Sequence, residues 1–217
     1  MRPTRRDFLQ QSAGVAIAAH AGAVAAQGMP SRAGDLLSRM TWFNPPASEH
    51  YSEGVLTVRS KGKTDFWRKT YYGYITDNGH FMNLSMMGEF QLQARVNGSY
   101  SALYDQAGIM VRLDDKNWIK CGTEFFENRR WASVVFTRDF SDWSTMEDLS
   151  QNGAVYWRVV RVKDSIEVHC SRDGDKFTTI RQGYFPPAVP VEVGIMCAAP
   201  EGPGFDAQFD QLLLESV

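Results

Sequence analysis

The sequence predicts an all-β domain, a two-sheet antiparallel sandwich or barrel. Three observations carry that reading. Short runs rich in Val, Ile, Phe, Tyr and Trp recur along the chain, separated by turn residues roughly every 8–12 positions. Within these runs apolar and polar residues alternate with the period of two that a strand imposes. No amphipathic helix of useful length interrupts them.

Residues 1–27 are expected to be an export signal ahead of the domain. Thr4-Arg5-Arg6-Asp7-Phe8-Leu9 resembles a twin-arginine pattern, an alanine-rich stretch runs from Ala13 to about Ala26, and Ala23-Val24-Ala25 supplies small residues at signal-peptidase spacing. That stretch is too short and too rich in Ala and Gly to span a bilayer comfortably. The expected location is therefore the periplasm or the medium, with no membrane contact after cleavage. Residues 28–39 read as a linker and residues 40–217 as the domain, long enough for a full core. A formal net charge of -2, with no basic block outside the signal, argues against a nucleic-acid partner. Cys121, Cys170 and Cys197 lie in strand-like runs without zinc-type spacing. Buried free thiols are expected, with a single bridge left open for an oxidising compartment.

Within the domain, Val55–Arg59 is a short strand and Lys61-Gly62-Lys63 a turn. An aromatic-dense run follows from Thr64 to Tyr74, and Asp77-Asn78-Gly79-His80 is a turn. Phe90–Val96 alternates as a strand. Tyr104–Thr137 contains three strands broken by polar turns, and residues 139–153 read as a long polar loop. Residues 155–170 form a hairpin around Lys163-Asp164, Asp173-Gly174 marks another turn, residues 191–198 are a buried strand, and a last strand runs from Phe205 to Leu214.

The middle of the chain carries the functional signal. Alternation sends Ala107, Ile109, Val111, Ile119 and Cys121 to a core face. The opposite face receives Tyr104, Gln106, Arg112, Trp118, Lys120 and Glu124, with Gly108 and Gly122 among them. Rings suit the apolar CH faces of a sugar, while amides, carboxylates and cations suit its hydroxyls. The glycines are expected to leave room for a ligand. His80 adds a donor at an edge, Trp67 and Trp143 are expected as ring platforms on loops, and Asp142 is a further polar candidate.

Asp65-Phe66-Trp67-Arg68, Asp77-Asn78-Gly79-His80, Tyr104-Asp105-Gln106-Ala107-Gly108, Trp118-Ile119-Lys120, Ser133-Val134-Val135 and Ser141-Asp142-Trp143-Ser144 occur here in that order. Together they resemble a bacterial and fungal family of unknown function, named after a regulator-of-enolase protein, within the concanavalin A-like lectin/glucanase superfamily. The resemblance runs from about Trp42 to the C-terminus. It implies a two-sheet antiparallel jelly roll with a concave sheet, and no settled activity.

Three functions follow as expectations. The first is an exported carbohydrate-binding, lectin-like domain whose ligand is a carbohydrate or other polyhydroxylated molecule on the concave sheet. The second is a glycoside hydrolase or lyase. The superfamily's glucanases imply a Glu-x-Asp-x-Glu strand, from which this chain departs. Glu124 and Glu127 are three apart, so a second acid has to come from Asp65, Asp105, Asp142 or Glu192. The balance leans away from catalysis, and no catalytic residue is assigned. The third is an envelope protein–protein interaction module, for which an exposed patch at Tyr71, Tyr72 and Tyr74 would speak. The scattered histidines give no metal site. No cofactor is expected, although Asp114-Asp115-Lys116-Asn117 is a polar turn weakly suited to calcium.

Overall fold

The computed structural model describes residues 33–147 and 153–217, so the expected export signal lies outside it. A short helix, α1 (Ala33–Leu37), precedes sixteen strands. These are β1 (Thr41–Phe43), β2 (Ser48–Ser52), β3 (Val55–Arg59), β4 (Phe66–Arg68), β5 (Ile75–Asp77), β6 (His80–Met86), β7 (Phe90–Gly98) and β8 (Gln106–Arg112). They continue as β9 (Asn117–Phe126), β10 (Arg129–Arg138), β11 (Phe140–Glu147), β12 (Val155–Val162), β13 (Ser165–Ser171), β14 (Thr178–Tyr184), β15 (Val191–Ala198) and β16 (Asp206–Ser216).

Two seven-stranded antiparallel sheets form a sandwich. The first runs β1-β6-β15-β8-β9-β10-β11 and the second β14-β13-β12-β7-β16-β3-β2. The small hairpin β4-β5 belongs to neither. Alternation builds the core between the sheets. In β7, Phe90, Leu92, Ala94 and Val96 point inward and are fully buried, while the residues between them are partly exposed. Ala107, Ile109, Val111, Ile119 and Cys121 meet them from the first sheet, as the alternation predicts. A charge enters the core at Arg161. The buried Arg161 guanidinium donates to the Val189 and Pro186 carbonyls at 3.0 and 2.6 Å, which satisfies it without a carboxylate.

Strand β8 is buried at all seven positions. A strand with one wet face would be half exposed, so something covers the outer face of the first sheet. The cover is the stretch 64–79, a strap containing β4 and β5. Phe66 and Trp67 pack onto Met110, Trp118, Val135 and Met196 to make a second, smaller apolar cluster.

Several expectations change. Part of the expected linker is docked, since α1 buries Leu36 and Leu37 in the main core. The expected loop 139–153 contains β11, an edge strand paired only to β10. Its half-exposed positions lower its apolar content, which hid the alternation. Strands β2 and β6 were not expected. A bulge between Asp210 and Leu213 breaks the alternation of β16, turning Leu212 inward and leaving Gln211 exposed. Cys121, Cys170 and Cys197 are buried thiols.

Gly108 and Gly122 face each other across β8 and β9. A Cβ on Gly108 would strike the Cys121 carbonyl, and one on Gly122 the Ala107 carbonyl. These glycines therefore serve close backbone approach between strands rather than ligand room. Gly122→Ala is expected to lower stability by about 2–4 kcal/mol, read as a fall in the urea midpoint. An unchanged midpoint would show that the strands can separate without cost.

Candidate functional site

The strap is stitched to the sheet by charged groups from distant parts of the chain. The Lys120 ammonium donates to the Phe66 carbonyl at 2.7 Å and to Asp65 Oδ1 at 3.1 Å. Arg112 grips Asp77 with two bonds of 2.7 and 2.8 Å. Arg68 donates to Asp115 and Asp139, and Lys69 joins Asp139 at 2.7 Å. Within the strap, Asn78 Oδ1 accepts from the Asp65 amide at 2.8 Å.

Where the strap turns, it leaves a pocket against the sheet holding about 340 Å³ of open space, mouth included. Its floor is polar. Asp65, Gln106, Lys120 and Glu124 meet there, and Gln106 Nε2 donates to Asp65 Oδ1 at 3.3 Å. Its walls are aromatic: Trp67, Tyr72 and Tyr74 from the strap, Tyr104 and Trp143 from the sheet side. Tyr72 and Tyr74 stack at 5.4 Å between ring centres. The two sides touch where the Tyr72 and Tyr104 hydroxyls lie 3.1 Å apart. Tyr104 has φ 66, a left-handed conformation uncommon for a bulky residue, in the turn entering β8. Trp143 donates its indole N–H to Glu124 Oε2 at 2.9 Å and to Ser133 Oγ at 3.0 Å. Behind it, Phe126 meets Trp143 edge-on at 5.1 Å and stacks on Trp131 at 4.9 Å, and the Arg129 guanidinium covers Trp131. This pile props the Trp143 ring in place.

The electrostatics favour neutral groups at the rim and a hard-to-ionise acid below. Burial raises the Glu124 pKa above its ordinary value. Lys120 and the Ser133 and Trp143 hydrogen bonds draw it back, while Asp65 adds to the rise. The Tyr104 phenol is pushed up first by its hydrogen bond to Tyr72 and then by burial. Burial, then Asp65, raises Tyr74.

Six expected site residues therefore share the pocket: Tyr104, Gln106, Lys120, Glu124, Trp67 and Trp143. Trp67 and Trp143 stand on β4 and β11, not on loops. Four lie elsewhere. Trp118 is 1% exposed beneath the strap, where Phe66 packs against it. Arg112 is spent on Asp77. His80 is buried and structural, its Nδ1 on the Asn44 carbonyl and its Nε2 accepting from the Lys61 amide. Burial lowers its pKa, which suits the neutral ring this pairing needs. Asp142 is exposed on the face opposite Trp143, as alternation requires. Of the four possible second acids, Asp65 is the one that lines this pocket. Glu192 lies in a separate groove, and the Asp105 carboxylate accepts from the Ser101 and Ala102 amides. Asp114 Oδ1 accepts the Lys116 and Asn117 amides, and Asp115 pairs with Arg68, so that turn is occupied with its own structure. The tyrosines expected as an exposed patch are exposed, Tyr71 at 92% and Tyr72 and Tyr74 at just under half, and Tyr72 and Tyr74 also wall the pocket.

Residues 42–217 match the model of a family described as Protein of unknown function (DUF1349). The chain belongs to the DUF1349 family. Regulation of enolase protein 1 of Saccharomyces cerevisiae (strain ATCC 204508 / S288c) is 40% identical to it over 176 residues, covering 81% of this chain and 88% of the yeast protein. A functionally unknown protein from Saccharomyces cerevisiae, known as a crystal structure, superposes with a TM-score of 0.80 at 38% identity, over 83% of this chain and 98% of that one. More distantly, xylan beta-1,4-xylosidase from Bacillus halodurans C-125 superposes with a TM-score of 0.59 at 10% identity. That match covers 78% of this chain but 38% of the xylosidase. At such identity it shows that the DUF1349 sandwich is a fold shared with part of a carbohydrate-active enzyme.

The raised Glu124 pKa makes stability depend on pH. The folded state holds this proton more tightly than the unfolded chain, so the contribution is present below the unfolded carboxyl value, about 4.5, and is lost as pH rises through the folded value. Glu124→Gln resembles the protonated form at every pH. The melting temperature of the variant relative to the parent is expected to rise between pH 4 and pH 7. A constant or falling difference would mean that Glu124 is ionised without cost.

Proposed function

We propose that this protein is an exported carbohydrate-binding domain whose pocket between strap and sheet holds one sugar ring. The observation that carries this reading is the pairing of five aromatic walls with a floor of amide, carboxylates and ammonium in one pocket. A sugar ring presents apolar faces and hydroxyls that both donate and accept, and this lining answers both. Likeness to the fold of a xylosidase supports the choice of ligand class.

A hydrolytic reading draws on one observation. Glu124 is a carboxyl with a raised pKa, and Asp65 brings a second carboxyl to the same pocket, the pairing from which glycosidases draw an acid and a partner. Binding without cleavage remains the preferred reading, because Asp65 Oδ1 already accepts from Lys120, Gln106 and the Phe66 amide.

Thermal unfolding of the chain against xylose, glucose, galactose, arabinose and their soluble oligomers tests the proposal. A ligand at a hundred times its dissociation constant is expected to add about 2.7 kcal/mol, and Trp143→Ala is expected to remove the shift. If no sugar shifts the transition, the saccharide reading fails. Product analysis on any sugar that binds separates the two readings: release that stops with Glu124→Gln makes the protein a hydrolase.

Export is tested separately. With Arg5 and Arg6 both changed to Lys, the protein is expected to accumulate inside the cell as its precursor. Undiminished appearance outside the cytoplasm would overturn the twin-arginine reading.

A further inference from the structure

Asp65 and Tyr74 have a second side. Beyond them, between the strap and the loop 199–204, lies another cleft of about 470 Å³ including its mouth. Lys63, Thr76, Pro200 and Glu201 line it, and it shares Asp65 and Tyr74 with the pocket already described. Tyr74 is thus a partition that is 45% exposed, with Asp65 at its foot. Lys63 Nζ meets Glu201 Oε2 at 3.3 Å, and both side chains are more than half exposed. An ion pair so placed contributes little to stability. Lys63 Nζ also donates to the Glu201 carbonyl at 3.1 Å, and at this exposure the ammonium and the Glu201 carboxylate can both turn toward a ligand, one to donate and one to accept.

We propose that this cleft is a second sugar subsite, so that the natural ligand is at least a disaccharide straddling Tyr74. The inference rests on the saccharide reading above. The terminal ring occupies the aromatic pocket. The linkage passes Asp65 and the Tyr74 hydroxyl, and the next ring lies along Pro200 with its hydroxyls on Lys63, Thr76 and Glu201. The two cavities differ in chemistry: the first is walled by rings, the second by a proline and an exposed ion pair. They therefore read different parts of a chain, the first its end and the second the sugar or linkage that follows.

The experiment is calorimetric titration with xylose, xylobiose and xylotriose, with the cello- and laminari-oligosaccharide series in parallel. It uses the parent, Glu201→Ala, Lys63→Gln and Trp143→Ala. The disaccharide of the preferred series is expected to bind about tenfold more tightly than its monosaccharide, the value of one good charged hydrogen bond. Glu201→Ala and Lys63→Gln are expected to abolish that gain while leaving monosaccharide affinity and melting temperature unchanged. Trp143→Ala is expected to weaken both sugars alike. Equal affinity for monosaccharide and disaccharide, or a gain untouched by both cleft variants, overturns the second subsite and leaves the first standing. Absence of binding by every sugar overturns the saccharide reading itself, and the subsite with it.

Discussion

The Lys120 ammonium governs the architecture of this molecule. It rises from the middle of the first sheet, 5% exposed, between Met110 and Val135 of the neighbouring strands, with Gln106 and Glu124 lining the same pocket. A buried cation needs partners, and breaking one such pair typically costs about 3–5 kcal/mol. Here the strap supplies them, with the Phe66 carbonyl and the Asp65 carboxylate. Once Asp65 is fixed, Gln106 and Asn78 organise around it, Phe66 seals Trp118, and the strap's turn is left standing clear of the sheet. The pocket is the space between that turn and the strand ends. Its floor and the anchor of its lid are therefore the same few groups.

Much of the fold is legible because strands advertise themselves, β7, β8 and β9 by alternation, β12 as one arm of a hairpin around Lys163-Asp164, and β15 by an apolar run bracketed by prolines. Alternation also told which side of the central strands carries Gln106, Lys120 and Glu124. It could not tell that this side is covered. A strap is a long-range event: Phe66 and Trp118 lie fifty-two positions apart, and nothing in the local pattern of either announces the other. Hence Trp118 reads as a ring on the open face and is a buried contact, and Arg112 and His80 read as polar groups for a ligand and are ties. The tyrosines of the strap turn were visible as an aromatic cluster. Only the fold shows that Tyr72 and Tyr74 face the polar floor while Tyr71 stands in solvent. Edge strand β11 was hidden for a different reason: with one neighbour and half its surface in water, it needs little apolar content.

The family relationship and the fold relationship carry different weights. Identity near 40% over most of both chains ties this protein to a yeast relative of unresolved activity. The xylosidase likeness covers a minority of that enzyme, and a sandwich of this kind hosts many unrelated tasks. The pocket is the stronger guide to function: five rings, a neutral rim, a buried acid and an ammonium already committed to structure.

The strap also says something about the order in which the chain acquires its shape. Its ties join residues far apart in sequence: Asp65 to Lys120, Arg68 to Asp139, Arg112 to Asp77. The sheet-side partners Arg112, Lys120 and Asp139 all lie on or between β8 to β11, so these ties are complete only when those strands are paired. Until the strap closes, Met110, Trp118, Val135 and Met196 form an uncovered apolar band on one side of a nearly finished sandwich. An uncovered band of this kind invites association with other chains. The element that makes the pocket is thus also the one that keeps this band from other chains, and a strap that failed to close would cost solubility as well as binding.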